Sequence, residues 1–120
     1  MLDAGAFIAF EKNDGKVCTL IELALTHGGP LHAPAGVVAQ VWRDGRRQAR
    51  LARLLGGAVE VAPLDRDEAK AAGVLRGRSW TTDVVDASVV LLARRHRAVV
   101  LTSDPDDLAR IDPGVEVALC

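Results

Sequence analysis

The chain has 120 residues, which leaves room for one hydrophobic core and no second, so a single domain over residues 1–120 is expected. Apolar residues make up 49% of it and aromatics only 3%, so the interior must be built from Val, Leu, Ala and Ile. A formal charge of −1 excludes a generally basic nucleic-acid coat, Cys18 and Cys120 are too few for a disulfide framework, and no apolar run approaches the ~20 residues that span a bilayer.

In chain order, Met1 and Leu2 can be no more than the end of a strand, and AGAFIAFEK (4–12) reads as a helix. A second helix is expected from about Lys16 to Thr26, stopped by Gly28, Gly29 and Pro30. Leu31 to Ala33 is a short extended piece. Pro34 suits a first helical turn, where its missing N–H would be unpaired anyway, and PAGVVAQVWR (34–43) follows helically. Arg46 to Leu55 forms another helix, closed by Gly56 and Gly57. AVEVAPL (58–64) alternates and is rich in Val, the pattern of a strand. Asp65 or Asp67 caps a helix to about Arg76, and Asp83 caps the long run VVDASVVLLARRH (84–96). AVVLT (98–102) is a buried strand, DPDDLARI (104–111) a short helix and VEVAL (115–119) a last strand. Strands alternating with helices predict an α/β fold with a parallel sheet covered on both faces.

In open parallel sheets, sites lie beyond the carboxyl ends of the strands. Asp3 follows the first strand and Asp104 follows AVVLT, so both carboxylates fall on one edge if both strands share a sheet. Asp86 is the third candidate. Its helix is apolar on nearly every side, through Val84, Val85, Ala87, Val89, Val90, Leu91 and Leu92, so the carboxylate cannot be assumed to face water. A buried carboxylate is costly unless it pairs with a cation or is neutralised. Asp83, taken alone, reads as a helix cap, and Asp3 and Asp104 are each also compatible with an exposed end or a turn. Three acids meeting on one edge would repel one another, and a divalent cation is the simplest remedy. Hard carboxylate oxygens without a His or Cys cluster favour Mg²⁺ or Mn²⁺ over zinc. His27, His32 and His96 share no ligand spacing and read as surface or helix-end residues.

The segments L-D-A-G-A-F-I-A (2–9), V-V-D-A-S-V-V-L-L-A-R (84–94) and V-L-T-S-D-P-D-D-L (100–108) together resemble the PIN domain, and most of all the VapC-type toxins of bacterial toxin–antitoxin pairs. The resemblance implies a PIN-like three-layer α/β/α fold with a parallel sheet of about five strands. It also implies an Mg²⁺-dependent endoribonuclease acting on single-stranded or loop RNA, held in check by a cognate antitoxin and homodimeric. No charged segment followed by an apolar stretch opens the chain, so a cytoplasmic protein is expected. Carried over by position, Asp3, Asp86 and Asp104 match the family's first, third and fourth acids and would be both catalytic and metal-binding. Asp106 matches a further acid, and Thr102 the hydroxyl residue ahead of the fourth acid. The family's second acid is usually a glutamate, but AGVVAQV puts Gln40 in that place. Gln40 brings a ligand oxygen without a charge, and Asp44, one helical turn later, is placed to compensate in part. A PIN module that binds RNA or a partner without efficient cleavage is therefore the alternative.

Arg43, Arg46, Arg47, Arg50 and Arg53 crowd one short stretch against only Asp44. Arg46, Arg50 and Arg53 recur at helical spacing and are candidates for contact with RNA phosphates or an acidic antitoxin segment; a solvated helix face is the competing reading. Trp42, beside Val41, reads as core, whereas Trp80 stands in RGRSWTTD, a candidate substrate-contacting loop ahead of the Asp86 helix. No G-x-G-x-x-G or Walker A sequence supports a nucleotide-binding protein.

Overall fold

Four helices are capped by the side chain of an aspartate. In the computed structural model, which describes residues 1–120, Asp3 caps α1 (Ala4–Glu11), Asp14 caps α2 (Gly15–His27), Asp65 caps α5 (Arg66–Ser79) and Asp83 caps α6 (Val84–His96). Each carboxylate accepts a hydrogen bond from a backbone N–H that the helix itself leaves unpaired. The remaining helices are α3 (Ala35–Val41), α4 (Ala49–Gly57) and α7 (Pro105–Ile111). No helix is long and apolar enough to cross a membrane.

The strands are short: β1 (Leu31–Pro34) pairs in parallel with β2 (Val59–Ala62), and β3 (Val100–Thr102) with β4 (Val117–Leu119). The first residues of the chain join the two pairs. Leu2 forms a parallel bridge with Leu101, and its N–H donates to the His32 carbonyl at 2.8 Å. On the other side, Leu101 N–H donates to the Met1 carbonyl and Asp3 N–H to the Leu101 carbonyl. The spatial order is thus β2, β1, Met1–Asp3, β3, β4. They form two two-stranded parallel sheets, linked by the first residues through one parallel bridge to β3 and one hydrogen bond to β1.

Two helix groups cover this arrangement. One centres on α1, which packs on α2, α3 and α4; the other centres on α6, packed on α5 and α7. The core between them is one cluster, with Phe7, Leu2, Ile21, Leu51, Leu92 and Leu108 among its largest fully buried side chains. The apolar run in α6 is explained by this placement: Ala87, Val89, Val90, Leu92 and Ala93 are all buried.

Several local expectations are corrected. Pro34 does not enter the first helical turn; it pairs with Ala62 at the end of β1, and its extended ψ of 151° makes it the residue before α3. Helix α4 starts at Ala49 rather than Arg46. The buried Gln48 side chain accepts from the N–H groups of Arg43 and Asp44 and donates to the Val41 carbonyl, which holds the intervening residues as a turn. Trp42 is not core but 40% exposed, with Gly45 close under its ring. His32 is neither a surface nor a helix-end residue. It lies half-buried on β1 with its ring stacked 3.8 Å from that of His96, and burial, followed by the His96 charge, lowers its pKa.

Candidate active site

The carboxyl ends of the central segments bring two acids together. Asp3 leaves the bridge at Leu2 and turns into α1, so that Oδ1 accepts from Ala4 N–H at 2.8 Å. Its other oxygen accepts from the hydroxyl of Thr102, the last residue of β3, at 2.7 Å. The same hydroxyl oxygen accepts from Asp104 N–H at 3.0 Å. Thr102 is completely buried and Asp3 nearly so, whereas Asp104 is exposed. One side chain thus fixes the first acid directly and the backbone of the second.

Close approach of α1 to the residues after β3 depends on Gly5. A Cβ at that position would lie 2.2 Å from Ser103 Oγ, 2.8 Å from its Cβ and 3.0 Å from its backbone nitrogen. No L side chain fits there without moving backbone.

Asp86 enters from the other helix group, as the third residue of α6. It is half-buried, and its pKa is pushed up to about 6, first by burial and then by the charges of Asp83, Asp3, Asp107 and Asp104. Those groups face one opening. A cavity of about 410 Å³ is lined by Asp3, Asp83, Asp86, Asp104, Asp107 and Gln40, with Gly5 in its wall. Gln40 is exposed there, at the end of α3.

The other expected members are elsewhere. Asp106 does not line the cavity; Asp107 does, one helical turn beyond Asp104. Asp83 has two roles, since it caps α6 by accepting from Asp86 N–H at 2.9 Å and also lines the cavity. Asp44 cannot compensate for Gln40. Helix α3 ends at Val41, and the Asp44 carboxylate accepts from Arg46 N–H in the following turn.

The arginines do not form one face. Arg46 lies in the turn before α4, Arg53 is exposed on α4, and Arg50 folds inward. Its guanidinium sits 4.8 Å from the centre of the Phe10 ring and donates to the Phe10 carbonyl and to Cys18 Sγ. Arg43 is paired with Glu11 at 2.9 Å. None of the five lines the acidic cavity. Arg110, which the sequence did not single out, lies beside it, 3.5 Å from Asp107.

The donor set suits a hard divalent cation, because every charged group around the opening is a carboxylate. No three His, Cys, Asp or Glu side chains close on a single point. That openness is compatible with Mg²⁺, which keeps several waters and is commonly held by one or two carboxylates. It does not suit a fully protein-enclosed structural zinc site.

Residues 1–113 match the PIN domain family. No curated protein matches the chain. Among solved structures, the crystal structure of VapBC2 from Rickettsia felis bound to a DNA fragment from their promoter aligns over 100% of this chain and 97% of that one. The TM-score is 0.73 at 15% sequence identity, which shows a shared fold.

Proposed function

Since the chain belongs to the PIN-domain family, whose members are generally nucleases, we propose that it is an endoribonuclease dependent on Mg²⁺ or Mn²⁺. Its proposed substrate is single-stranded or loop RNA. The observation that carries this is the crowding of Asp3, Asp86 and Asp104, with Asp83 and Asp107, around one opening. A phosphodiester cannot approach so many carboxylates unless a cation offsets them. Asp3, Asp86 and Asp104 would hold the ion, in part through the waters that Mg²⁺ keeps, with the neutral amide oxygen of Gln40 at the rim. When bound, the ion supplies a Lewis-acid charge that lowers the pKa of water and offsets charge on the leaving oxygen. The chain's own part is positional. Thr102 and Ala4 N–H keep Asp3 in one orientation, and Thr102 ties Asp104 to it.

The resemblance to VapC-type toxins and the likeness to VapBC2 support a toxin role with a cognate antitoxin as partner. A homodimeric assembly and a cytoplasmic setting belong to the same proposal. An apolar groove of about 240 Å³, with Leu20, Ala24, Val99 and Ala118 in its wall, supports a protein partner as well. Arg46 and Arg53 remain proposed contacts for RNA or antitoxin. Arg50 joins them only through whatever part of its guanidinium the Phe10 contact leaves free.

Gln40 favours a second reading, a PIN module that binds RNA or a partner without efficient cleavage. One experiment separates the two. Purified protein should cut a structured RNA at unpaired positions with Mg²⁺ or Mn²⁺, EDTA should stop it, and Asp86→Asn should abolish cutting while the variant still melts cooperatively. Cleavage by Asp86→Asn at the parent rate would return Asp86 to a purely structural role.

A further inference from the structure

Trp80 is 94% exposed, the most exposed large apolar side chain in the molecule. Tryptophans are usually largely covered, because the indole has the greatest apolar area to remove from water. Its backbone is also unusual. Trp80 ends α5 in the left-handed region, at φ 58° and ψ 19°, where glycine is the ordinary helix stop and a bulky side chain is an outlier. Both features disfavour the folded chain, and neither is offset by packing.

The position explains what local stability does not. Trp80 borders a cleft of about 290 Å³ whose wall also includes Thr81, Asp83, Asp86, Asp107 and Arg110. Asp83, Asp86 and Asp107 belong equally to the acidic cavity, so the indole stands beside the proposed cutting site. The loop is held: Ser79 Oγ donates to the Leu75 carbonyl, and Asp83 N–H donates to Thr81 Oγ1. Trp80 is the single apolar member of this lining, among hydroxyls, carboxylates and a guanidinium. An apolar side chain of a protein partner would find no further apolar surface there. A planar nucleobase, with one face on the indole and polar edges toward Thr81 and Arg110, suits the site.

Building on the endoribonuclease reading above, we propose that Trp80 is a substrate-positioning platform that stacks an unpaired base of RNA next to the bond to be cut. A base within a duplex has both faces covered by its neighbours and cannot use the indole. The platform therefore favours single strands over duplexes while tolerating any base, since every base offers a π-face.

The test uses the full chain with Trp42→Phe, which leaves Trp80 the only indole, in the Asp86→Asn background with Mg²⁺ present. A single-stranded oligoribonucleotide should quench its fluorescence, and the same sequence as a duplex should not. Trp80→Ala and Trp80→Gly should weaken single-strand binding by roughly 5- to 150-fold, and Trp80→Phe should stay within roughly threefold of the parent. In the otherwise native chain, Trp80→Ala should raise KM by a larger factor than it lowers kcat. Trp80→Gly should melt at or above the parent temperature, because glycine relieves the left-handed backbone. Cleavage by the parent with an unaltered KM in Trp80→Ala would overturn the platform and leave the nuclease standing. Quenching by single strands without cleavage of any RNA would do the reverse. Fluorescence that responds only to a protein partner, or a lower melting temperature for Trp80→Gly, would overturn it too.

Discussion

Thr102 and Asp3 lie 99 residues apart in sequence and are joined by a 2.7 Å hydrogen bond in which the hydroxyl donates to the carboxylate. The bond crosses between the two central segments of the sheet, and the same oxygen accepts from Asp104 N–H. Thr102→Val preserves shape and removes both interactions. It should cost about 1–3 kcal/mol in chemical denaturation, because a nearly buried carboxylate and an amide each lose a partner. Thr102→Ser should recover most of that loss. Equal stability of the valine and serine variants would mean that the hydroxyl holds neither acid.

The raised pKa of Asp86 gives a prediction for pH. A carboxyl held at about 6 when folded, against 3.8 as its ordinary value, contributes stability that is fully present below 3.8 and lost as pH rises through about 6. Without metal, Asp86→Asn should therefore match the parent near about pH 4 and become the more stable of the two above about pH 6. Mg²⁺ should raise the parent's melting temperature at neutral pH more than in acid, because the ion competes with the proton. Parallel melting curves that ignore both pH and Mg²⁺ would contradict this.

Gly5→Ala tests the packing behind the site. The added methyl falls within 3.0 Å of three Ser103 atoms, one of them backbone, so the residues carrying Asp104 must move. A stability loss of about 1–3 kcal/mol is expected, together with a larger fall in cleavage rate than in stability. Ser103→Gly in the same chain removes two of the three contacts and should restore part of both.

Gln40→Glu adds a charge at the rim of the acidic cavity. It should raise both Mg²⁺ affinity and cleavage rate, since a dication gains more from a further carboxylate than the acids lose by repulsion once it is bound. Titrating Mg²⁺ against cleavage for the two proteins decides it. Equal or poorer activity would mean a site built around three acids, or one that no longer serves catalysis.

What could be read from the sequence is what local chemistry controls. The run VVDASVVLLARRH matches α6 from Val84 to His96, because Asp83 supplies its cap and the apolar residues supply its burial. Strands β2, β3 and β4 are legible because short Val-rich runs between turn residues have few other uses, whereas β1 is legible only as an extended piece between Pro30 and Pro34. What the sequence hides is mostly contact between residues distant in the chain. The start of α4 is set by Gln48, whose side chain reaches Glu11 across 37 residues, and no pattern within the Arg-rich stretch reveals that. Arg50 looked like a free cation because Phe10 and Cys18 lie on other helices. Asp107, and not Asp106, lines the acidic cavity, and its helical spacing from Asp104 is a local signal for that placement.

Using the residues at 1–3 to join the two strand pairs also bears on how the protein is made. Leu2 stays half-paired until Leu101 exists, and Asp3 has no hydroxyl to accept from until Thr102 does. Contacts of such high order form late and slow the folding of the whole domain. A ribosome must therefore deliver most of the chain before the acid cluster can assemble. A nascent or prematurely ended product that stops before β3 carries Asp3 and Asp86 without the Thr102 and Asp104 that complete the cluster. For a chain proposed above to act as a toxin, folding order would withhold the acid cluster from an incomplete product without the help of any partner.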